Sequence, residues 1–472
     1  PLGVLASQSP RIRHPLLATV SLIQTVPGLA ILALVVAMLG GTIGFLPAFI
    51  ALTLYSMLPI MRNTVSGLEG VLADVVEAAR GIGLSPRQRL WKVELPLALP
   101  VIVAGIRTAA VWTVGMATLS TLVGASSFGN YIFIGIQTRN LTAVTVGSVA
   151  AALLAILLDT LIGCLQWIAE RRAVGVGMRD LRRSTALATV LALFFSLALI
   201  LSLKPAPKPD LIVGGKPFTE QYILASLLAE QLEAAGFRVE QNIGMGSDLM
   251  FEAIAAGTID LYVEYTGTIW GSYMNREGNP GRAEIRRQTQ DFVRAAGLTP
   301  VGMAGFQNLY ALAMRRDRAE ELGVKSVQDL AGVAARLKAG GDLEFFGRTE
   351  WQRLQSLYGL DFEQELTFDA ALMYSAVAAG QVDVISAYST DGRVAAYDLL
   401  LLEDPREALL SYDALFLASA SAAADPRFLE GIGALVDSIS DEAMRAANRL
   451  VDVDGRPVAE ATNALRESLR PR

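Results

Sequence analysis

Residues 186–209 read ALATVLALFFSLALILSLKPAPKP, an apolar run that carries no charge before Lys204 and then passes into alternating prolines. A helix needs about 20 apolar residues to cross the hydrocarbon core of a bilayer, so this stretch predicts a transmembrane tether over 184–204. The prolines predict a stiff, extended linker over 205–209. Because the sequence differs in character on the two sides of this stretch, we expect a multi-domain chain.

The two sides differ in charge as well as in hydrophobicity. The 472 residues are 52% hydrophobic and only 18% charged, against roughly 25% charged in typical soluble domains. Residues 1–204 carry 15 Lys/Arg and 7 Asp/Glu, whereas residues 205–472 carry 25 and 39. The acidic second half argues against nucleic acid as a partner, since nucleic acid selects a basic surface.

The residues of catalytic and metal sites are scarce. The single cysteine, Cys164, excludes an internal disulfide and a cysteine metal cluster. With one histidine, His14, the sequence offers neither a common zinc site nor a convincing nucleophile–base arrangement. We therefore expect no catalytic residues, no metal and no cofactor.

The first half holds four more apolar stretches. They cover 16–39, 43–61, 97–123 and 141–169. Lys and Arg cluster before the first stretch, between the second and third, and between the fourth and the tether, whereas the loops 40–44 and 124–138 hold none. Cytoplasmic loops carry the excess of Lys and Arg, which predicts five spans with residue 205 outside. The chain opens at Pro1 without an initiator methionine, so we interpret it as lacking an earlier segment.

The basic loop between the second and third stretches has a distinctive pattern. It reads EAARGIGLSP over 77–86 and VELP over 93–96. Small residues followed by Gly83, with Pro86 opening a new run, predict a short helix, a glycine turn and a second helix that ends at a Leu-Pro stop.

This loop resembles the coupling loop of the permease subunits of ABC importers. The resemblance implies an all-α polytopic permease domain over 1–183, paired as a homodimer in the lipid bilayer and lacking the family's first span. Its coupling loop, about 64–96, would dock onto a separate cytoplasmic ABC ATPase through Glu77, Ala78, Ala79 and Gly83. The alternative is an ordinary amphipathic surface loop. Gly214-Gly215-Lys216 lacks the full spacing of a phosphate loop, so ATP hydrolysis falls to the partner subunit.

Beyond the linker, short β runs alternate with helical patterns. Leu211–Val213 predicts a strand, and residues 219–235 predict a helix capped by Thr219. Continued alternation predicts parallel sheets covered by helices, and the length suffices for two lobes.

An internal repeat supports two lobes. Residues 247–268 (SDLMFEAIAAGTIDLYVEYTGT) align without gaps on 370–391 (AALMYSAVAAGQVDVISAYSTD), with 8 of 22 positions identical. Each copy predicts a helix, a glycine turn, a short strand and a polar loop that opens with a tyrosine. Ligands of open α/β sheets lie beyond the carboxyl ends of strands, so Tyr265 and Tyr388 are expected to share a cleft. The alternative is that helix–Gly–strand units look alike by composition.

Three motifs resemble the binding proteins of the glycine betaine, carnitine and choline importers: GGKPFTEQ (214–221), EYTGT (264–268) and AYSTDG (387–392). In some members permease and binding protein are one chain. The resemblance implies a two-lobed α/β periplasmic-binding-protein domain of type II over 210–472, on the extracytoplasmic side of a bacterial or archaeal plasma (inner) membrane. Its first lobe would comprise about 210–312 and 412–472, and its second about 313–411.

The resemblance also implies a ligand cage of four tyrosines, which would be Tyr265, Tyr310, Tyr388 and Tyr412. A quaternary ammonium has no N–H to donate, and aromatic faces hold it by cation–π attraction of about 0.5–2 kcal/mol each. Lys216 and Arg353, with Arg348 as its rival, would hold a substrate carboxylate, and Thr268 would add a hydroxyl. The alternatives are another betaine, such as ergothioneine, and a membrane receptor that does not transport.

Overall fold

The computed structural model describes residues 1–138, 140–173, 208–342 and 344–469. The predicted tether over 184–204, and the linker up to residue 207, lie outside the described residues. The chain divides into two compact units, Pro1–Asn130 with Thr145–Lys208 and Tyr131–Val144 with Pro209–Arg472.

Helices make up the described structure of residues 1–173. They are Leu2–Gln8, Pro10–Thr25, Gly28–Met38, Phe45–Glu69, Ala73–Gly81, Pro86–Arg89, Leu90–Glu94 (a π-helical turn), Leu95–Leu119, Ser120–Val123 (a 3₁₀ turn), Gly129–Gln137 and Leu141–Ala173. Within the described residues, three helical segments are long and apolar enough to cross a membrane, namely Phe45–Glu69, Pro86–Val123 and Leu141–Arg171.

The predicted span over 16–39 is not one straight helix. Its two halves, Arg11–Thr25 and Gly28–Met38, meet at a bend of 102°. Pro27 causes the break, because proline has no N–H to donate and disfavours the helical conformation of the residue before it. Val26 accordingly has extended backbone angles, φ −72° and ψ 132°, and its carbonyl accepts a hydrogen bond from the Tyr55 hydroxyl.

The predicted coupling loop has the expected helix, turn and second helix. The helix Ala73–Gly81 is followed by Gly83 at φ +83°, and the Ser85 side chain accepts from the Gln88 backbone in a capping box before Pro86. The predicted Leu-Pro stop is wrong, since helical structure continues through Pro96. The preceding π-helical turn explains the difference: its wider hydrogen bonding accommodates a residue that cannot donate.

A partly exposed arginine–aspartate contact links two of the apolar helices. Arg107 of Leu95–Leu119 donates from Nε to Asp159 Oδ1 at 2.5 Å and from Nη2 to Oδ2 at 2.6 Å. Asp159 lies on Leu141–Ala173, one turn from Gly163, where a Cβ would sit 3.4 Å from the guanidinium. The paired geometry satisfies both charges within apolar segments, where an unpaired ion is costly.

The second unit contains two five-stranded sheets. The strands are β1 Leu211–Gly215, β2 Val239–Ile243, β3 Leu261–Tyr265, β4 Leu298–Gln307, β5 Tyr310–Arg315, β6 Lys338–Gly341, β7 Gln364–Thr367, β8 Val384–Tyr388, β9 Leu399–Leu401 and β10 Asp413–Ser419. The first sheet has the order β2-β1-β3-β10-β4 and the second β7-β6-β8-β5-β9. Each sheet with its helices forms one lobe.

The sheets are mixed rather than parallel. Pairs β1–β2, β1–β3, β6–β7 and β6–β8 are parallel as predicted, whereas β10 runs antiparallel to β3 and β4, and β5 runs antiparallel to β8 and β9. The antiparallel strands flank the two connections between the lobes. A strand that follows a crossing between the two sheets enters its sheet from the opposite direction. The local alternation of helix and strand patterns does not reveal this reversal.

The internal repeat is present in the structure. The helices Ser247–Ala255 and Ala370–Ala378 are each followed by a left-handed glycine, Gly257 at φ +70° and Gly380 at φ +69°. Each copy then enters a strand, β3 or β8, whose last residue is the tyrosine. The repeat therefore places one tyrosine at the carboxyl end of a central strand in each lobe.

The remaining helices of this unit cover the sheets. They include Thr219–Ala234, Arg282–Ala295, Arg316–Leu322, Val327–Ala331, Thr349–Tyr358, Arg393–Ala396, Ala420–Ala423, Pro426–Gly433, Asp441–Asp452 and Val458–Ser468, with short turns at Thr266–Thr268 and Ile269–Tyr273. The predicted cap at Thr219 is wrong, because this residue lies inside the helix. Its hydroxyl instead donates to Asp452 Oδ1 at 2.5 Å, which ties the first helix to Asp441–Asp452.

Candidate functional site

An aromatic cluster lies where the two lobes meet. The ring centroid of Tyr310 lies 5.1 Å from that of Tyr388 and 5.4 Å from that of Tyr412. Phe218 stacks on Tyr388 at 6.1 Å and lies 6.3 Å from Tyr265. Four predicted tyrosines and Phe218 therefore form one group, called the tyrosine cluster below.

The topology brings these rings together. Tyr310 begins β5 and pairs in register with Tyr388, the last residue of β8. The Asn308 N–H donates to the Tyr412 carbonyl at 3.0 Å, so the two connections between the lobes run side by side. Because Tyr310 already belongs to the second sheet, that lobe begins slightly before the boundary near residue 312 that the sequence indicated.

One glycine makes room for Tyr412. A Cβ built on Gly267 would lie 2.4 to 2.5 Å from three atoms of the Tyr412 ring, closer than carbon atoms tolerate. The Gly in the EYTGT motif is thus explained by a close approach to an aromatic face. Thr268, predicted to offer a hydroxyl, follows it in the turn Thr266–Thr268 and is buried.

Three of the four tyrosines donate their phenolic proton to a buried carboxylate. Tyr265 donates to Glu220 at 2.5 Å, and Tyr388 donates to Asp342 at 3.0 Å. Tyr412 donates to Glu350. Burial raises the pKa of all four phenols well above the ordinary value, so each stays protonated and can donate.

Glu220 accepts hydrogen bonds from several parts of the fold. Besides Tyr265, its carboxylate accepts from Asn308 at 3.0 Å, from Asn448 at 3.1 Å and from the Thr390 hydroxyl of the second lobe at 2.5 Å. Burial raises the pKa of the Glu220 carboxyl, and these hydrogen bonds oppose that rise. Glu220 therefore connects the tyrosine cluster to both lobes.

Lys216 forms a buried ion pair with Glu264. Its side chain and that of Glu264 are only 3% and 0% exposed, and its Nζ forms an ion pair with the Glu264 carboxylate. Glu264 also accepts from Tyr262 at 2.8 Å and from Tyr273 at 3.0 Å. Since Lys216 Nζ lies 5.3 Å from the ring centroid of Tyr265, it remains within reach of the cluster.

Arg353, predicted to hold a substrate carboxylate, lies against the backbone of another segment in this structure. Its guanidinium donates to the carbonyls of Ala408 at 2.8 Å and Glu407 at 3.0 Å. Arg348 is the arginine at the cluster, buried and 5.6 Å from the ring centroid of Tyr310. The helix Thr349–Tyr358 explains the difference, because Arg348 is its N-cap whereas Arg353 projects from its middle turn.

Arg348 is paired as well. It forms an ion pair with Glu344, which also accepts from the Ser247 hydroxyl at 3.1 Å across the lobes. Burial opposes ionisation of Glu344, but Arg348 and Lys216 hold the pKa of its carboxyl below the ordinary value. Both cations of the site are therefore neutralised by carboxylates of the protein.

The acidic residues around the rings were not predicted from the sequence. Glu220 and Phe218 stand in the GGKPFTEQ motif, yet the sequence identified that segment only as a helix start and a family match. Asp342 and Glu350 carry no local signal, since their partners lie 46 and 62 positions away. Only the folded chain reveals that these carboxylates accept from the tyrosines.

The predicted coupling residues occupy the short helix and its turn. Glu77 and Ala78 are exposed, Ala79 is buried, and Gly83 is exposed in the left-handed conformation. Around them, large apolar side chains are uncovered in this unit: Leu72 is 72% exposed, Ile82 78% and Trp91 71%.

Comparison with known proteins agrees with both units. The family described as "Substrate binding domain of ABC-type glycine betaine transport system" matches residues 209–467. The family described as "Binding-protein-dependent transport system inner membrane component" matches residues 1–175.

Relatives match the whole chain or one unit of it. The chain is 30% identical over 463 residues to the ergothioneine transport permease/ergothioneine binding protein EgtU of Helicobacter pylori, covering 96% of this chain and 83% of that protein. It is 41% identical over 182 residues to the choline transport system permease protein OpuBB of Bacillus subtilis, covering 39% and 81%. It is 32% identical over 276 residues to the glycine-betaine-binding protein of Pseudomonas aeruginosa, covering 56% and 89%.

One unit has apolar helices long enough to span a membrane, and the other has a two-lobed α/β binding fold. Together they define the class of this protein as a permease fused to a substrate-binding domain of an ABC importer. The chain belongs to the glycine betaine transport family, in which its first unit is the inner-membrane component and its second unit is the substrate-binding domain.

Proposed function

We propose that the tyrosine cluster binds a quaternary ammonium solute of the glycine betaine, choline or carnitine type, which this chain imports with a separate ATPase. The observation that carries the proposal is the convergence of four tyrosine rings from both lobes on one site. A trimethylammonium group cannot be held by hydrogen bonds from its nitrogen, so aromatic faces are its appropriate partners. Closing the two lobes on it would bury the group.

The ionic groups at the cluster also suit a solute with a carboxylate. Lys216 and Arg348 lie within 5.3 and 5.6 Å of the rings of Tyr265 and Tyr310. A substrate carboxylate could bind either cation in exchange for part of its contact with Glu264 or Glu344. We therefore propose Arg348, rather than Arg353, as a ligand of the substrate carboxylate, together with Lys216.

A second candidate substrate is ergothioneine, itself a trimethylated betaine. It is favoured by the relative from Helicobacter pylori, which is named for ergothioneine transport and binding and whose similarity to this chain extends over both units. The same cluster would hold the trimethylammonium group of either compound, and the rest of the ligand would decide between them.

Calorimetric titration tests which solute the tyrosine cluster binds. The purified full chain in detergent would be titrated calorimetrically with glycine betaine, choline, carnitine, proline betaine and ergothioneine, and we expect saturable binding of at least one. Tyr388→Ala and Tyr265→Ala should each weaken that binding by about three- to thirtyfold, as expected for one lost cation–π contact. Tyr131→Ala, at a tyrosine that is 55% exposed and outside the cluster, is the matched control. Binding of no compound, or unchanged binding by both cluster variants, would contradict the proposal.

The exposed coupling loop supports a docking role. Leu72, Ile82 and Trp91 surround the helix that carries Glu77, and such a cluster of uncovered apolar side chains is typical of a protein interface. We assign this loop to the cytoplasmic ATPase, the substrate-binding domain to the outside of the membrane, and the permease to a homodimer around one pathway.

A substitution at Gly83 tests whether this loop docks onto the ATPase. Its φ of +83° is costly for a β-branched residue, so Gly83→Val should distort the turn and abolish co-purification of the partner ATPase and substrate uptake in cells. Gly81→Ala, two residues away with open space at its Cβ position, should leave both intact. If the chain is instead a receptor that does not transport, no ATPase should co-purify with the wild-type chain. That result would favour the receptor over the transporter.

A further inference from the structure

The hydroxyls of the tyrosine cluster share one kind of acceptor. Glu220, Asp342 and Glu350, each at most 5% exposed, accept from Tyr265, Tyr388 and Tyr412 respectively. These carboxylates come from different elements: the helix Thr219–Ala234, the residue after β6, and the helix Thr349–Tyr358. The arrangement thus recurs at three separate places around one site.

The direction of the hydrogen bonds is fixed by their neighbours. Gln221 Nε2 donates to the Tyr265 hydroxyl at 3.0 Å, so the Tyr265 proton is left to point at Glu220. The hydroxyls of Tyr310 and Tyr388 lie 3.5 Å apart, and Tyr388 donates onward to Asp342. The phenol of Tyr310 therefore reaches the same carboxylate through Tyr388.

The charge around the rings is unbalanced. Lys216 is paired with Glu264, and Arg348 is paired with Glu344. Glu220, Asp342 and Glu350 exceed these two cations in number, although Glu350 also attracts Arg348. Neutral phenol donors join the three carboxylates to the cluster. Their negative charge is therefore available to act on a ligand at the rings.

We propose that Glu220, Asp342 and Glu350 are specificity-determining residues that orient the tyrosine rings and make the site select a permanent cation over a neutral molecule of the same shape. The inference rests on the proposed function of the cluster and deepens it. The carboxylates act from behind the rings, by orienting them and by their charge, and do not contact the ligand.

Two physical effects lead to this selectivity. A phenol that donates to a carboxylate has a more electron-rich ring, and the attraction of a cation to that ring is electrostatic in origin. A carboxylate behind the ring also attracts the cation directly, and at an effective dielectric constant of about 20 that attraction extends across a side chain. A neutral tert-butyl group of the same shape gains from neither effect.

The test compares matched ligands. Choline and 3,3-dimethylbutan-1-ol differ in that a carbon replaces the quaternary nitrogen. Glycine betaine and 3,3-dimethylbutanoate form a second such pair, in which both members also carry a carboxylate. The words cationic and neutral refer here to the head group alone, trimethylammonium or tert-butyl. The full chain in detergent would be titrated with the pair whose cationic member binds the wild type, the neutral member being measured by competition. Glu220→Gln, Asp342→Asn and Glu350→Gln keep the shape of each acceptor and remove its charge.

A matched control exists outside the cluster. Tyr358 donates its phenolic proton to Asp404, as the cluster tyrosines do to their carboxylates. Asp404→Asn removes that acceptor charge without changing the site. It should leave the affinities for both members of the pair unchanged.

We expect each cluster variant to bind the cationic ligand roughly tenfold more weakly and the neutral one almost unchanged, so that selectivity falls by the same factor. Tyr265→Phe, which removes the hydroxyl and retains the ring, should lower selectivity similarly and abolish the further effect of Glu220→Gln. If Glu220→Gln does not fold, Tyr265→Phe and Tyr412→Phe test the same contacts.

The outcomes separate this inference from the proposed function. A wild type that binds no quaternary amine overturns the proposed function. A wild type that binds one, with variants that lose the cationic and neutral ligands equally or lose neither, overturns the role of the carboxylates alone.

Discussion

Replacing Lys216 by methionine is expected to lower the free energy of unfolding of the substrate-binding domain by about 3–5 kcal/mol, because it leaves a buried carboxylate without its counter-ion. Glu264 is fully buried, and Lys216 is its ion-pair partner. The hydroxyls of Tyr262 and Tyr273 would still donate to it, but two neutral donors do not replace a cation. The loss corresponds to on the order of 10 °C in the apparent melting temperature of a domain of this size.

Scanning fluorimetry of the purified full chain would measure the effect. The double variant Lys216→Met with Glu264→Leu removes both charges, and it should recover most of the stability, since replacing a buried ion pair by apolar side chains is often neutral. Arg238→Met is the matched control, because the Arg238–Asp210 pair is about half exposed and should contribute little. Equal losses for Lys216→Met and the double variant would show that the ion pair is not the cause.

This result bears on the role that the family resemblance gives to Lys216. A lysine that serves only the substrate would be dispensable for folding, whereas the ion pair with Glu264 makes it structural in the described chain. Binding of a substrate carboxylate by Lys216 must therefore be measured on variants that remain folded. The Lys216→Met, Glu264→Leu double variant meets that requirement.

Local sequence patterns predicted the parts of the fold that depend on neighbours along the chain. The helix–glycine–strand repeat was visible because each copy occupies 22 consecutive residues, and its left-handed glycines, Gly257 and Gly380, follow from the turn after each helix. The antiparallel placement of β5 and β10 was not visible. It depends on where the chain crosses between sheets, which no local period encodes.

The same distinction explains which residues of the site could be predicted from the sequence. Tyr265 and Tyr388 were found because the repeat puts them at equivalent strand ends, and the structure brings them together with Tyr310 and Tyr412. Arg353 was preferred to Arg348 from the family resemblance, whereas in the structure Arg348, the N-cap of the helix Thr349–Tyr358, is the arginine beside the Tyr310 ring. The acceptors of the tyrosine hydroxyls lie 45 to 62 positions from their donors, so a single sequence could not pair them.

Gly267→Ala is expected to weaken ligand binding by about ten- to a hundredfold while the domain still folds, because a methyl group inserted into a filled site costs about 1–3 kcal/mol. The added Cβ would lie 2.4 Å from the nearest atom of the Tyr412 ring. That ring cannot move freely: its edge meets Tyr310 at 5.4 Å between centroids, and its hydroxyl donates to Glu350. Any shift that admits the methyl group therefore breaks a contact within the cluster.

Titration of Gly267→Ala with the solute that binds the wild type measures this loss, and the melting temperature shows that the variant is folded. Gly433→Ala is the matched control, since its Cβ would meet nothing within 4 Å. Wild-type affinity in Gly267→Ala would mean that the exact position of Tyr412 is unimportant for binding. The expected loss would instead assign Gly267 of the EYTGT motif to the ligand site, through the ring that it admits rather than through a contact of its own.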